Sequence, residues 1–298
     1  MRYRTLGRSG LKVSEIGFGA SPGVDPNYVH AWDPFLEESQ AQIVDTIRYA
    51  VDRGINLFDT SHCYGGGRSE ELYGRALEGL RDKVLIATKT GWRQDMTQAE
   101  IFRRFEESLR RLRTDYVDVM QFHGDYPDLF SAEDVRWILE GGPLDALKKL
   151  REQGKVRYLG ISSEDATALI PFVESGEFDA IQINYSVIYQ AAFHHLLPAC
   201  ERNNVGVMVM RPNTTGQFQK LMRTWQPDIE QHVDLWGLCV DFVLSDTRVS
   251  SALVGARTRS TIDKNIALSE DTSKRLDLLW LHDRRVGLRE PKAWEQPD

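Results

Sequence analysis

Four residues that can take up or release a proton mark the first half of this 298-residue chain. Asp59, Lys89 and His123 each stand at the end of a short run of apolar residues, and Tyr64 follows Asp59 by five positions. Such runs, separated by helical patterns, are typical of parallel strands buried on both faces. In a closed barrel of parallel strands the carboxyl ends all face one mouth, where these four side chains would meet.

These four residue types at one mouth could transfer a proton to a substrate oxygen. A free tyrosine has a pKa of about 10, and a nearby ammonium lowers that pKa by favouring the phenolate. We therefore expect Lys89 to tune Tyr64 and Asp59 to hold Lys89, while a neutral His123 would orient the substrate oxygen. This set suits protonation of an oxygen whose carbon accepts a hydride, and since no side chain donates hydride, a nicotinamide cofactor is predicted. The alternative is that Asp59 and Lys89 form only a structural ion pair and that His123 is a structural residue.

The elements that must position these residues alternate regularly along the chain. Strands are predicted at 16–18, 55–59, 83–88, 116–122, 156–161, 180–183, 205–210 and 252–254. Helices are predicted near 39–53, 69–80, 98–112, 144–153, 164–175, 190–203, 234–245 and 260–270. Eight strand–helix units in one direction predict an α/β fold whose parallel sheet closes as a (β/α)8 TIM barrel, with a doubly wound open sheet as the alternative. A β-hairpin near the N-terminus is predicted to close the bottom of the barrel, and residues 1–298 are predicted to form one domain.

Composition and charge argue against several classes of function. The chain is 41% hydrophobic and 27% charged, as is ordinary for a globular protein, and its net charge of −7 without a basic stripe argues against nucleic acid as a partner. The first residues do not resemble a signal peptide and no run of 18 apolar residues occurs, so no membrane association is predicted. Cys63, Cys200 and Cys239 match no zinc pattern, which favours a cytoplasmic protein without a disulfide and without a metal site.

Several motifs resemble the signature of the aldo-keto reductase superfamily. They are Asn56 to Thr60, Tyr64 to Glu70, Gly74 to Leu77, Ala87 to Lys89, Asp115 to Asp118 with His123, Gly154 to Ser162, Gln182, and Val254 to Arg257 with Asn265. The resemblance spans almost the whole chain. It implies a (β/α)8 barrel and a catalytic tetrad of Asp59, Tyr64, Lys89 and His123, in which Tyr64 would be the general acid/base.

The same resemblance implies how a nicotinamide would be held. Ser162, Ser163 and Gln182 correspond to the family residues that bind the carboxamide, although Ser163 stands where asparagine is usual. Met210 or Arg211 occupies the position near the end of the seventh strand where an aromatic residue often stacks on the nicotinamide. A methionine there can pack on the ring face, whereas Arg211 would instead reach the pyrophosphate or the substrate, or lie on the surface.

At the adenosine end of the cofactor, the resemblance implies contacts from Gly255, Arg257, Thr258 and Asn265. Arg257 and Thr258 stand at the start of the last barrel helix, whose amino terminus favours anions, and arginine binds phosphate through its planar fork of donors. These residues favour NADPH. NADH remains the alternative because Thr261 stands where some family members carry a second arginine.

The predicted connections around the mouth carry candidate substrate residues. These are Trp32, His62, Trp92 and Tyr126, whose aromatic walls suit a small carbonyl compound or a sugar, although each is also typical of ordinary packing. Three functions are consistent with the sequence: an NAD(P)H-dependent reductase of aldehydes or ketones, an aldose 1-dehydrogenase running the reverse reaction, and an NADPH-sensing regulatory subunit with little turnover. The sequence does not indicate an oligomeric state.

Overall fold

A computed structural model of the chain describes residues 1–19, 32–91, 97–124 and 130–287. In this part of the chain the strands are β1 (Tyr3–Thr5), β2 (Lys12–Ser14), β3 (Ile16–Gly19), β4 (Leu57–Asp59), β5 (Leu85–Thr90), β6 (Val117–His123), β7 (Val156–Ser163), β8 (Ala180–Asn184), β9 (Gly206–Met210) and β10 (Ser251–Val254). Strands β3 to β10 form a closed parallel barrel in the order β10-β3-β4-β5-β6-β7-β8-β9. Because β10 pairs with β3, placing Val254 opposite Phe18, the sheet has no open edge. The predicted TIM barrel is confirmed, and the open-sheet alternative is wrong.

Helices cover the outside of the barrel. Those described are α1 (Glu37–Asp52), α2 (Arg68–Leu77), α3 (Gln98–Leu112), α4 (Ala132–Glu140), α5 (Pro143–Glu152), α6 (Ala166–Glu174), α7 (Leu196–Arg202), α8 (Gln217–Trp225), α9 (Leu235–Ser245), α10 (Arg259–Glu270) and α11 (Leu278–Gly287). Of these, α4, α8 and α11 lie outside the predicted alternation. None of the helices in the described ranges is long and apolar enough to cross a membrane.

The barrel strands are mostly apolar because both of their faces are largely buried. In β6, Met120 and Phe122 face the helices and belong to the outer core, whereas Val119 belongs to a separate cluster inside the barrel. Gln121 and His123 continue the inward-facing positions of that strand toward its carboxyl end. Along the inward-facing positions of β6, apolar Val119 thus lies low in the barrel, and polar Gln121 and His123 lie toward its mouth.

The N-terminal hairpin closes the bottom of the barrel, as predicted. Strands β1 and β2 pair antiparallel, with Tyr3 opposite Ser14. The hairpin contributes Leu6, Leu11 and Val13 to the interior cluster. Their partners from the barrel strands are Leu57, Ala87, Val119, Ala180, Met208 and Leu253. This apolar plug forms the floor beneath the polar mouth.

Candidate active site

Three neighbouring strands bring the polar residues of the first half together. Asp59 is the last residue of β4, Lys89 lies near the end of β5, and His123 is the last residue of β6. Tyr64 begins the 3-10 turn Tyr64–Gly67 that connects β4 to α2. The rest of that turn is glycine, at φ values of 58°, 67° and 97°, which L side chains rarely adopt. The glycine run therefore turns the chain sharply after Tyr64.

Lys89 and Asp59 form a buried ion pair. The Lys89 ammonium donates to Asp59 Oδ1 at 2.8 Å, to Oδ2 at 2.7 Å and to the Thr60 carbonyl oxygen at 2.8 Å. Burial is the largest single effect and by itself lowers the pKa of Lys89, but the charges and hydrogen bonds of Asp59 and Tyr64 together raise that pKa above its ordinary value. Lys89 is thus a fixed positive charge at neutral pH.

Tyr64 lies beside this charge. The Lys89 ammonium is 4.8 Å from the centroid of the Tyr64 ring. Burial raises the pKa of Tyr64 to about 12, while Lys89 acts in the opposite direction. Lys89 therefore lowers the pKa as expected, but the expected net lowering is wrong because desolvation of the phenolate is the larger effect. Tyr64 carries its proton at neutral pH.

His123 is neutral and packs edge-on against Tyr64. The two ring centroids are 5.8 Å apart at an interplanar angle of 77°. Burial, reinforced by the nearby Lys89 charge, lowers the pKa of His123 to about 3. Its Nδ1 lies 3.4 Å from Ser61 Oγ and 3.6 Å from Cys63 Sγ. A neutral imidazole at this position can donate a hydrogen bond to a substrate oxygen without adding charge.

The predicted nicotinamide residues lie on adjacent strands. Ser162 in β7 and Gln182 in β8 are register partners, and both are buried. Gln182 Nε2 donates to Asp59 Oδ2 at 3.1 Å, and within the described ranges its buried Oε1 has no hydrogen-bond partner. Ser163 points its hydroxyl elsewhere, since Ser163 Oγ accepts from the Asp165 backbone N–H at 3.0 Å. Ser162 and Gln182 thus fit a carboxamide better than Ser163 does.

The seventh barrel strand ends at Met210, followed by Arg211. Met210 is half-buried, so part of its side chain faces open space. Arg211 has a φ of 54° and its Nη2 lies 2.7 Å from Glu164 Oε1. The ion pair therefore holds the Arg211 guanidinium against Glu164, the residue that follows β7.

The residues predicted for the adenosine end surround the start of α10, after Gly255. Thr258 is the N-cap, and its hydroxyl accepts from the Thr261 backbone N–H. Asn265 is buried, and its Nδ2 has no partner among the described residues. The Arg257 guanidinium lies over the Trp32 ring, 5.0 Å from its centroid. A helix amino terminus, a guanidinium and an unpaired amide donor together fit an anionic nucleotide end.

The candidate substrate residues are placed differently from one another. Trp32 lies against Arg257, beside the predicted nucleotide residues. His62 Nδ1 donates to the Lys89 carbonyl oxygen at 2.9 Å, which ties the Tyr64 loop to β5. Burial lowers the pKa of His62, so it is neutral too. Trp92 and Tyr126 lie outside the described residues.

Comparison with known proteins gives the family. A model of the Aldo/keto reductase family matches residues 27–277. The chain belongs to this family. It is 31% identical over 294 residues to L-galactose dehydrogenase of Arabidopsis thaliana, covering 90% of this chain and 88% of that protein. It is 27% identical to an NADH-specific methylglyoxal reductase of Escherichia coli, covering 90% of this chain and 93% of the relative.

Solved structures of the family share its fold. An aldo-keto reductase of Bacillus halodurans in its holo form superposes with a TM-score of 0.73 at 26% identity, covering 98% of this chain and 97% of that one. An aldo/keto reductase of Klebsiella pneumoniae in complex with NADP and acetate gives a TM-score of 0.71 at 24% identity, with the same coverage.

Gln121 is a polar residue in the mouth of this aldo-keto reductase that was not predicted from the sequence. Gln121, two positions before His123 in β6, is fully buried and donates from Nε2 to Asp59 Oδ1 at 3.3 Å. The signal was available, because residues two apart on a strand face the same side. In the part of the chain that the structure describes, no group of three or more His, Cys, Asp or Glu side chains is arranged to hold a metal ion.

Proposed function

We propose that the protein is an NADPH-dependent oxidoreductase that reduces the carbonyl group of an aldehyde or ketone to an alcohol, with Tyr64 as general acid/base. One observation carries the proposal: a buried ammonium, Lys89, is fixed by Asp59 beside the ring of a protonated tyrosine. A neutral His123 packs against the same ring. These groups suit protonation of an oxygen on which negative charge develops.

In the proposed reaction Tyr64 gives its phenolic proton to the carbonyl oxygen of the substrate. Lys89 lowers the cost of the phenolate that remains, because an adjacent positive charge favours the ionised form. His123 donates an N–H to the same oxygen and orients it. When bound, a nicotinamide cofactor would supply the hydride that the carbonyl carbon accepts.

We propose that Ser162 and Gln182 hold the carboxamide of that cofactor and that Arg257, Thr258 and Asn265 hold its adenosine end. The unpaired Gln182 Oε1 and Asn265 Nδ2 support this assignment, since buried polar atoms without partners are unfavourable unless a ligand pairs with them. Arg257 favours NADPH over NADH through its affinity for phosphate. The Klebsiella pneumoniae structure holds NADP, whereas the Escherichia coli relative is named NADH-specific, so NADH is the alternative.

A second candidate function is oxidation of an aldose at its anomeric carbon, the same chemistry in reverse. The 31% identity to a plant L-galactose dehydrogenase over 90% of the chain favours it. In that direction Tyr64 would accept the proton as phenolate. The third candidate, an NADPH-sensing regulatory subunit, is disfavoured because all four proton-handling residues are present.

We further propose that the protein acts in the cytoplasm on small carbonyl compounds or sugars. Cys63, Cys200 and Cys239 are not joined in disulfides. Burial raises the pKa of the Cys200 and Cys239 thiols to about 12, so both are un-ionised at neutral pH. Such thiols are inert and fit a reducing compartment.

Replacing Tyr64 by phenylalanine tests the proposal. We expect Tyr64→Phe to lower kcat for carbonyl reduction by about 100-fold to 10,000-fold, the range general acids contribute. Binding of NADPH, followed by quenching of tryptophan fluorescence, should stay within a few-fold of wild type because the ring is kept. Near-normal turnover in this variant would show that Tyr64 is not the acid.

The direction of the reaction is decided by assaying wild type both ways. One screen should test aldehydes and ketones with NADPH, and a parallel screen should test aldoses with NADP+. The first should be repeated with NADH and the second with NAD+. Single-turnover mixing of the NADPH-loaded protein with a carbonyl compound separates an enzyme from a sensor, since a sensor binds NADPH without transferring its hydride to the carbonyl.

A further inference from the structure

The Asp59 carboxylate is held by more than the ion pair. Besides the two bonds from Lys89, Gln121 Nε2 donates to Oδ1 at 3.3 Å and Gln182 Nε2 donates to Oδ2 at 3.1 Å. Asp59 is only 3% exposed, so these bonds lie out of contact with bulk water. Two side-chain amides, one per carboxylate oxygen, therefore fix the anion that in turn fixes Lys89.

The barrel places Gln121 for this contact. Gln121 is the register partner of Lys89 across β5 and β6. On the other side, Gly160 in β7 leaves room for the Gln121 side chain, since a Cβ at position 160 would lie 2.8 Å from Gln121 Cγ. A side chain at position 160 would therefore displace Gln121.

The orientation of the Gln121 amide follows from hydrogen bonding. An ionised carboxylate only accepts, so Nε2 must face Asp59 and Oε1 must face away. In that orientation Oε1 is buried without a partner within the described ranges. An apolar side chain of similar size would fill the space without leaving a carbonyl oxygen unpaired. What favours an amide over an apolar side chain at position 121 is therefore its hydrogen bond to Asp59.

We propose that Gln121 is a positioning residue for the reaction at Tyr64. It acts through Asp59, whose carboxylate it holds so that the Lys89 ammonium stays beside the Tyr64 ring. In this proposal Gln121 acts through Asp59 alone, without contacting the cofactor or the substrate. Gln182 differs, because it holds the other carboxylate oxygen and is also assigned to the nicotinamide. This inference rests on the proposed function.

The first test is Gln121→Met, a near-isosteric apolar replacement. We expect kcat for carbonyl reduction to fall about 10-fold to 100-fold, while the Kd for NADPH, measured by fluorescence quenching, stays within two-fold. Gln182→Met is the matched comparison, and it should weaken NADPH binding as well as kcat. The split between kcat and Kd distinguishes a positioning role from a cofactor contact.

The second test is Gln121→Glu, which gives a pH signature. A glutamic acid buried beside Asp59 has its pKa raised by burial and by the like charge, so at low pH its protonated form can donate to Asp59 as the amide does. When ionised it repels Asp59 instead. We expect kcat of Gln121→Glu to rise at least 10-fold between pH 8 and pH 6, whereas kcat of wild type and of Gln121→Met changes little. Circular dichroism at both pH values checks that each variant is folded, and Gln121→Glu keeps the test available if Gln121→Met does not fold.

The outcomes separate this inference from the proposed function. Wild-type kcat in Gln121→Met, or a Gln121→Glu variant with the pH profile of wild type, overturns the positioning role even when Tyr64→Phe abolishes turnover. A 10-fold weaker Kd for NADPH with unchanged kcat also overturns it and assigns Gln121 to the cofactor. Absence of turnover in wild type with every carbonyl and aldose overturns both proposals.

Discussion

At the scale of single residues, the proton on Tyr64 sets the pH dependence of the proposed reaction. Burial raises the pKa of Tyr64 to about 12 and lowers that of His123 to about 3, so neither group titrates between pH 6 and pH 9. We expect kcat for carbonyl reduction to be flat across that range, because Tyr64 stays protonated throughout. Oxidation of the alcohol needs the phenolate, so its rate should rise about 10-fold per pH unit. Steady-state rates in both directions check this, and a reduction rate that falls with a midpoint near pH 7 would contradict it.

Individual residues also show what the sequence could and could not predict. Asp59, Lys89 and His123 were found because a charged or titratable residue at the end of an apolar strand is unusual. Gln121 was missed because an uncharged amide within an apolar run gives no such contrast. The expectation of a lowered pKa for Tyr64 was wrong because that pKa also depends on burial. Burial in turn depends on packing by elements that are distant in sequence.

At the scale of elements, the hairpin that closes the barrel depends on one glycine. Gly7 has a φ of 48°, and a Cβ there would lie 2.2 Å from the Gly206 backbone nitrogen. Gly10 in the same connection has a φ of 69° but no atom within 4 Å of such a Cβ. Substitution of Gly10 therefore reports backbone strain alone, whereas substitution of Gly7 reports backbone strain together with a steric clash.

We expect Gly10→Ala to lower the free energy of unfolding by about 1–2 kcal/mol, the cost of a left-handed residue with a Cβ. Gly7→Ala adds a clash with backbone that cannot move aside, so the loss should reach about 3–5 kcal/mol. Urea unfolding followed by circular dichroism measures both. Equal losses in the two variants would show that the hairpin does not pack closely on Gly206.

Element boundaries were predictable where local signals agree with packing. The helix predicted at 98–112 is observed over those residues, with Thr97 as its N-cap. The helix predicted from 190 begins instead at Leu196, after a turn that includes Phe193, whose ring lies under Arg248. Helix α4 was missed although Ser131 and Asp134 form a capping box. Its local signal was present, but a helix outside the regular strand–helix alternation was not expected.

At the scale of the whole molecule, distant segments share one interior. The cluster inside the barrel includes Leu6 from the hairpin, Val119 from the first half of the chain and Met208 from the second. Pairing of β10 with β3 joins the ends of the barrel. These contacts support the proposal that residues 1–298 form one domain, and they make the titration of one buried group affect the stability of the entire fold.

The titration of His123 predicts in which direction the free energy of unfolding changes with pH. Its pKa is about 3 in the folded protein and about 6.5 in an unfolded chain, so below pH 6.5 the unfolded chain binds a proton that the folded protein does not. The free energy of unfolding therefore falls as the pH falls from about 6.5 toward 3, and His123 should account for a loss of about 1–2 kcal/mol by pH 5.

The expected consequence is that His123→Asn loses less stability than wild type between pH 7.5 and pH 5, by that amount. Urea unfolding at both pH values measures this, and the pH 7.5 values give the cost of the substitution itself. His62, whose pKa burial also lowers, remains in both proteins, and its charge adds to the lowering of the His123 pKa. Parallel losses in the two proteins would mean that His123 takes up its proton in the folded barrel as readily as in the unfolded chain.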